Sequence, residues 1–279
     1  MLNILMAYPY INKSALNMII SINREKQGVR FLVDSGAFTA WKSGKEISLD
    51  SYCKFLDNTR DISWRYFMLD KIGDPDGTIK NYEVMRQRGF KPIPVFTRGE
   101  DLSILKYYYQ SSDLVGIGGL VGTQGSKGFV KGIMNEVGDR KVHWLGFAKS
   151  NFVSYYKPYS FDCSSWASGM MYARINLYLG SGRWKSFCKN DFALRPSNDI
   201  YKLIKDRYKI DPNLLGKASE WKNSGRGKYV IEDISYKSWT CYMSEVEKKL
   251  GSRFFMAVAS DMQVRLTYEA YKFWKGNHV

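Results

Sequence analysis

The chain of 279 residues holds only two histidines and four cysteines, and no two cysteines stand as CxxC or CxC. No local ligand spacing argues for a structural zinc, although a thiolate–imidazole site is not excluded; no metal and no cofactor is among the expectations. Cys53, Cys163, Cys188 and Cys241, scattered through a chain of this size, read as buried free thiols in a reducing compartment. No apolar run approaches the roughly 18–20 residues that cross a bilayer. The opening Met1-Leu2-Asn3-Ile4-Leu5-Met6 has neither the basic start nor the small-residue cleavage site of a signal peptide. The expectation is a soluble cytoplasmic protein with no membrane partner. GxGxxG and the Walker lysine loop are both missing, which excludes those two phosphate cradles. No internal repeat or low-complexity tract occurs.

What is present is enough for a sizeable core. Hydrophobic residues make up 44% and charged residues 25%, both close to globular averages. The distribution of charge is uneven. Residues 1–140 carry 19 basic and 15 acidic groups, whereas residues 141–279 carry 23 and 12. A basic half joined to a near-neutral half fits a polyanionic partner, nucleic acid being the commonest. The alternative is a solvated surface that serves solubility.

Short apolar runs alternate with amphipathic stretches through residue 165. Candidate strands are Asn3–Met6, Arg30–Val33, Tyr66–Leu69, Pro92–Phe96, Leu114–Ile117, Val142–Leu145 and Tyr159–Phe161. Helical spacing lies between them at Ile47–Thr59, with Ser48 as N-cap, and at Gly77–Arg88, Asp101–Gln110 and Lys127–Val137. Strands that are apolar throughout and alternate with helices indicate a buried parallel sheet. Seven such units favour a (β/α)8 barrel of the TIM type, completed by Phe254–Ala259; a doubly wound sheet is the alternative. Residues 1–170 would then hold the site. Residues 171–279 would form a basic insertion plus the closing elements, with a turn at Gly180-Ser181-Gly182, a basic helix at Asn198–Arg207 and an exposed loop at Ser219–Lys228.

In a parallel β/α barrel the chemistry lies where strands end. Three aspartates follow apolar strands directly: Asp34 in Val33-Asp34-Ser35-Gly36-Ala37-Phe38, Asp70 after Met68-Leu69, and Asp162 after Phe161. Any one alone could cap the next helix. Asp74 and Asp76 read as turn and cap residues. Three strand-end carboxyls on one face suit substitution at an anomeric carbon, with the third accepting hydrogen bonds from a heterocycle's N–H edge. Gly118 and Gly119, before Leu120, would let backbone approach a flat ligand.

Together, Val33–Phe38, Leu69-Asp70, Ile117-Gly118-Gly119-Leu120, Val142-His143-Trp144-Leu145-Gly146 and Phe161-Asp162-Cys163 resemble the tRNA-guanine transglycosylase superfamily. The likeness is greater to its phage-type members, which insert 7-deazaguanines into DNA, and it spans about residues 30–166. It implies that Asp162 attacks C1′ of a guanosine nucleotide while Asp34 serves as general acid/base. Asp70 would read the polar edge of the base, beside Ser35. Gly118, Gly119 and Leu120 would line the base pocket, Phe38 would close on the base, and His143 would support the pocket. The expected partners are DNA, with tRNA as the alternative, and a 7-deazaguanine base. If the chain is phage-encoded, the compartment would be the host cytoplasm.

Three departures from that family stand out. Its zinc-binding CxCxxC with a later histidine is missing. Thr97-Arg98-Gly99 replaces a Gln-Gly after the fourth strand, so Arg98 could alter base choice or contact phosphate. Cys163-Ser164-Ser165-Trp166 lacks the arginine-bearing stretch of the tRNA enzymes, which favours DNA. Trp166, Tyr172, Trp184, Trp221 and Trp239 could stack on displaced bases, with core packing the alternative. The remaining alternatives are a nucleic-acid-binding barrel without catalysis and a nucleoside or glycoside hydrolase.

Overall fold

A computed structural model describes residues 1–25, 28–120, 126–193 and 197–276. Ten strands are present among them: β1 (Leu2–Ala7), β2 (Val29–Asp34), β3 (Ser63–Tyr66), β4 (Val95–Thr97), β5 (Leu114–Gly118), β6 (Lys141–Trp144), β7 (Ser160–Cys163), β8 (Arg174–Gly180), β9 (Arg183–Cys188) and β10 (Arg253–Ala257). Eight form one parallel sheet in the order β3-β2-β1-β10-β7-β6-β5-β4. The first strand therefore pairs with the last, as a curled sheet compatible with a TIM-like fold requires.

The curl has one weak seam. No ladder joins β3 to β4, so the sheet is not a continuously closed barrel. Phe67 and Ile93 form a single parallel bridge there. Met68 N–H donates to Ile93 O at 3.0 Å and Ile93 N–H to Tyr66 O at 2.8 Å. Pro92 and Pro94 flank that bridge and have no N–H to extend it. The third strand thus ends three residues before the expected Leu69, and the fourth begins at Val95, not Pro92.

The helices follow from pattern and caps. Lys13–Arg24 buries Ala15, Ile19 and Ile22, one stripe at the three-and-four spacing. Leu49–Asn58 buries Tyr52, Cys53 and Leu56, and Ser48 Oγ accepts the Ser51 N–H at 3.3 Å as its N-cap. Such a cap contributes about 1 kcal/mol. Asp74 likewise caps Pro75–Gln87, accepting from Gly77 N–H at 2.9 Å. All four cysteines are free, with Cys188 only half-buried.

Before the last strand, residues 165–252 depart from simple alternation. β8 and β9 form an antiparallel hairpin whose two loop residues, Ser181 and Gly182, both have positive φ. Helix Val230–Leu250 packs against both this hairpin and β10. A row of rings ties the three together: Trp184 lies 4.4 Å from Trp239, Trp239 5.5 Å from Phe254, and Phe254 5.2 Å from Phe161. Core packing is therefore where most of the candidate stacking residues belong. Trp166, Trp221 and Trp239 are buried, and Trp184 is held in that row. Of the five, Tyr172 alone is well exposed, at 77%. The expected exposed loop at Ser219–Lys228 starts inside a short helical turn, Ala218–Trp221, and Trp221 anchors it by donating to Leu215 O at 2.8 Å.

Candidate active site

The C-terminal ends of the parallel strands collect the acidic side chains. Asp34 is the last residue of β2, Asp70 lies four residues beyond β3, and Asp162 sits inside β7. None of the three caps a following helix. The helix after β2, Ala37–Lys42, has Gly36 at its N-cap with no side-chain bond. Gly36 is required there: φ is +77° and a Cβ would meet Pro9 Cδ at 2.4 Å. The segment leading out of β1 therefore packs directly on the turn that aims Asp34.

Ser35 joins two of the aspartates. Its buried hydroxyl donates to Asp70 Oδ1 at 3.0 Å and accepts the Ala37 N–H at 3.3 Å. Asp162 is held differently. Its Oδ1 accepts from the Gly146 N–H at 2.9 Å and lies 3.1 Å from His143 Nε2. His143 Nδ1 lies 2.8 Å from Ser160 Oγ, and the imidazole is fully buried against the rings of Phe67 and Phe255.

Electrostatics links the three carboxyls. Burial pushes the Asp34 carboxyl up to about 7, and the charges of Asp70 and Asp162 add to that rise. The backbone N–H groups of Gly36 and Ser35 offset part of it. Along the ladder, β2 and β7 are three strands apart, about 14 Å on a flat sheet. The curl is what makes Asp162 a charge that Asp34 feels. Burial also raises Asp70, while its own N–H and the Ser35 hydroxyl hold it down.

The other expected residues divide. Gly118 ends β5 beside Thr97, and Leu120 is buried. Gly119 has φ +71°, and a Cβ there would meet Arg98 Cβ at 2.7 Å. Residues 121–125, which follow them, lie outside the described set. Arg98 is exposed, with its guanidinium 5.3 Å from the Phe129 ring, and so turns toward the helix Ser126–Val137. Phe38 is 54% exposed and stacks on Trp41 at 6.0 Å, with Lys42 Nζ 4.5 Å from its ring.

Three residues escaped the sequence reading. Ser160 shares a strand face with Asp162, a placement that the two-residue alternation of β7 already implies. Trp41 lines a cavity of about 240 Å³ together with Ala37, Ala40, Leu69, Asp70 and Asn81; Asp34 and Asp162 are not among its walls. Glu100 follows β4, accepts the Thr97 N–H at 2.7 Å, and is raised by burial with a contribution from the Asp70 charge. No sequence motif marked it.

Such a set combines a carboxyl raised toward neutral pH with a second whose hydrogen bonds from the described residues fall on Oδ1. These are the two functions needed for substitution at a sugar carbon. Among the described residues no group of His, Cys, Asp and Glu side chains is placed to hold a metal ion. Nor is any of their helices long and apolar enough to cross a membrane. No model of a known protein family matches the chain, and no curated protein sequence matches it.

Proposed function

We propose that this protein is a guanine transglycosylase that replaces guanine in DNA with a 7-deazaguanine base. The curled sheet serves as a (β/α)8 barrel with its mouth at the C-terminal strand ends, and residues 171–279 supply contacts to the polynucleotide. The observation that most supports this reading is the gathering of Asp34, Asp70 and Asp162 toward the C-terminal strand ends, where burial first, and then the charges of Asp70 and Asp162, raise the Asp34 carboxyl to about 7.

The chemistry follows from those positions. Asp162 Oδ2 attacks C1′ as the bond to guanine N9 breaks, forming a sugar–aspartyl ester. Asp34, protonated, gives its proton to the departing guanine. The 7-deazaguanine then enters; Asp34, now a carboxylate, takes the N9 proton as N9 attacks C1′ and expels Asp162. Protons and electrons balance over the two halves, and a carboxyl near 7 can act as acid in one and base in the other. Charge on Asp162 also stabilises the oxocarbenium character of each transition state. Asp70, steadied by Ser35, accepts from the N–H edge of the base. A duplex target has to be opened for C1′ to reach the mouth.

The test is guanine exchange into a labelled DNA oligonucleotide and into tRNA, with the intact chain and with Asp162→Ala and Asp162→Asn. Exchange on DNA should exceed that on tRNA, and both variants should lose at least about 10³-fold. Undiminished exchange in Asp162→Ala would refute the nucleophile. Binding of DNA without turnover in the intact chain would instead favour a barrel that binds nucleic acid without catalysis.

A further inference from the structure

The buried row Ser160–His143–Asp162 has the members of a hydrolytic triad in the wrong places for one. Ser160 is fully buried within the sheet, so no substrate reaches its hydroxyl. Asp162, at the strand end, is the member nearest the mouth. Register explains the row. His143 of β6 stands opposite Ser160 of β7, and Asp162 lies two residues further along the same strand face.

Hydrogen-bond chemistry then assigns the proton. With Asp162 as the carboxylate that the proposed attack requires, the contact at 3.1 Å needs the proton on Nε2. In a neutral imidazole Nδ1 is then an acceptor, and the Ser160 hydroxyl at 2.8 Å is its donor. Phe67 and Phe255, at 5.0 and 6.1 Å between ring centroids, fix the imidazole plane. Gly146 N–H supplies a second donor to the same oxygen at 2.9 Å.

We infer that Ser160 and His143 are positioning residues for the proposed nucleophile: Ser160 holds His143 in the Nε2–H tautomer, and His143 with Gly146 N–H pins Asp162 Oδ1 so that Oδ2 faces C1′. This rests on the reading of Asp162 given above. Pinning one oxygen orders the attacking carboxylate before substrate arrives. Displacement of a reacting atom by about 1 Å can cost about 100-fold in rate. The row also explains why a polar histidine occupies an apolar belt of the sheet, where each of its ring nitrogens meets a partner.

Two measurements test it. The chain has only two histidines, His143 and His278, so ¹⁵N NMR of the imidazoles reads His143 directly against a His278→Gln reference. The intact protein should show the Nε2–H tautomer, and Ser160→Ala should shift His143 toward a tautomer mixture. In single-turnover assays of adduct formation, His143→Ala should slow the covalent step about 100-fold with little change in DNA affinity. His143→Gln, whose amide can still donate to Asp162, should recover part of that rate. An Nδ1–H tautomer in the intact protein overturns the inference. So does wild-type adduct formation in His143→Ala while Asp162→Asn is inactive. Full activity of Asp162→Asn would instead remove the functional reading and leave the tautomer result standing by itself. Should His143→Ala fail to fold, the tautomer measurement and His143→Gln decide.

Discussion

The two ends of the parallel strands treat aspartate in opposite ways. At the N-terminal ends, Asp113 lies before β5 and meets Arg65 of β3 through two hydrogen bonds, at 2.7 and 3.0 Å, and Lys141 of β6 at 3.0 Å. Those cations hold its carboxyl well below the ordinary range. At the C-terminal ends, burial lifts Asp34 to about 7, and the charged groups beside it, the carboxyls of Asp70 and Asp162, add to that rise. One end neutralises its charge; the other accumulates it. A fold selected for stability alone gains nothing from the second arrangement, which supports the proposal that chemistry takes place at the C-terminal end.

The sharpest way to break that comparison is Asp34→Asn. A raised carboxyl binds its proton more tightly in the folded protein than in the unfolded chain. Folding is therefore unpenalised below about pH 4, loses stability as pH rises toward 7, and carries the whole cost above it. Asparagine does not ionise and removes that cost. The variant should be more stable at pH 8 by up to about 4 kcal/mol, the rise of the carboxyl to about 7 taken at about 1.4 kcal/mol per pH unit. At pH 4 the gain should vanish, and exchange should fall by at least about 10²-fold. Urea unfolding at the two pH values checks it. Equal stability of the two proteins at pH 8 would mean that the acidic end is not strained.

Asp113→Asn should do the reverse with a smaller amplitude. Its carboxyl is stabilised in the folded state, so its contribution is present above the ordinary carboxylate range and lost as pH falls through it. Half the Asp113 side chain is exposed, and solvent screens the pair with Arg65. The expected loss is about 1 kcal/mol at pH 7, with exchange unchanged. A large loss of exchange with normal stability would place function at both ends.

How much of this was legible before any coordinates depended on what each signal reports. The strand runs show because a sheet covered on both faces is apolar along its length, as in Leu114–Ile117 and Phe254–Met256. The third strand was misplaced for the same reason. Phe67, Met68 and Leu69 are more apolar and more buried than Trp64, Arg65 and Tyr66, yet the latter carry the ladder. Hydrophobicity reports burial, not pairing. Asp34, Asp70 and Asp162 were visible because a charge after an apolar run is conspicuous. The Ser160–His143 contact was not, because it depends on the register between two strands. The tryptophans of the second half were ambiguous because only the fold shows Trp184 packed on Trp239 and Trp239 on Phe254.

The smallest expected effect belongs to charges at neither end. Lys202, Lys205 and Lys209 line a shallow groove of about 830 Å³ with Tyr201, Pro212 and Asn213, and all three lysines are exposed. Asp206 and Asp211 share that groove and temper its potential, so each lysine contributes modestly. Changing all three to glutamine should leave the unfolding free energy within about 0.5 kcal/mol, since exposed side chains away from packing rarely matter more. DNA affinity should nonetheless fall about three- to tenfold in 0.1 M salt. The slope of log K against log salt should drop by about 0.9 for each phosphate contact removed. The slope is the decisive quantity, because general loss of positive charge weakens binding without erasing discrete contacts. An unchanged slope would assign the basic surface of the second half to solubility and leave the acidic mouth to find its polynucleotide by other contacts.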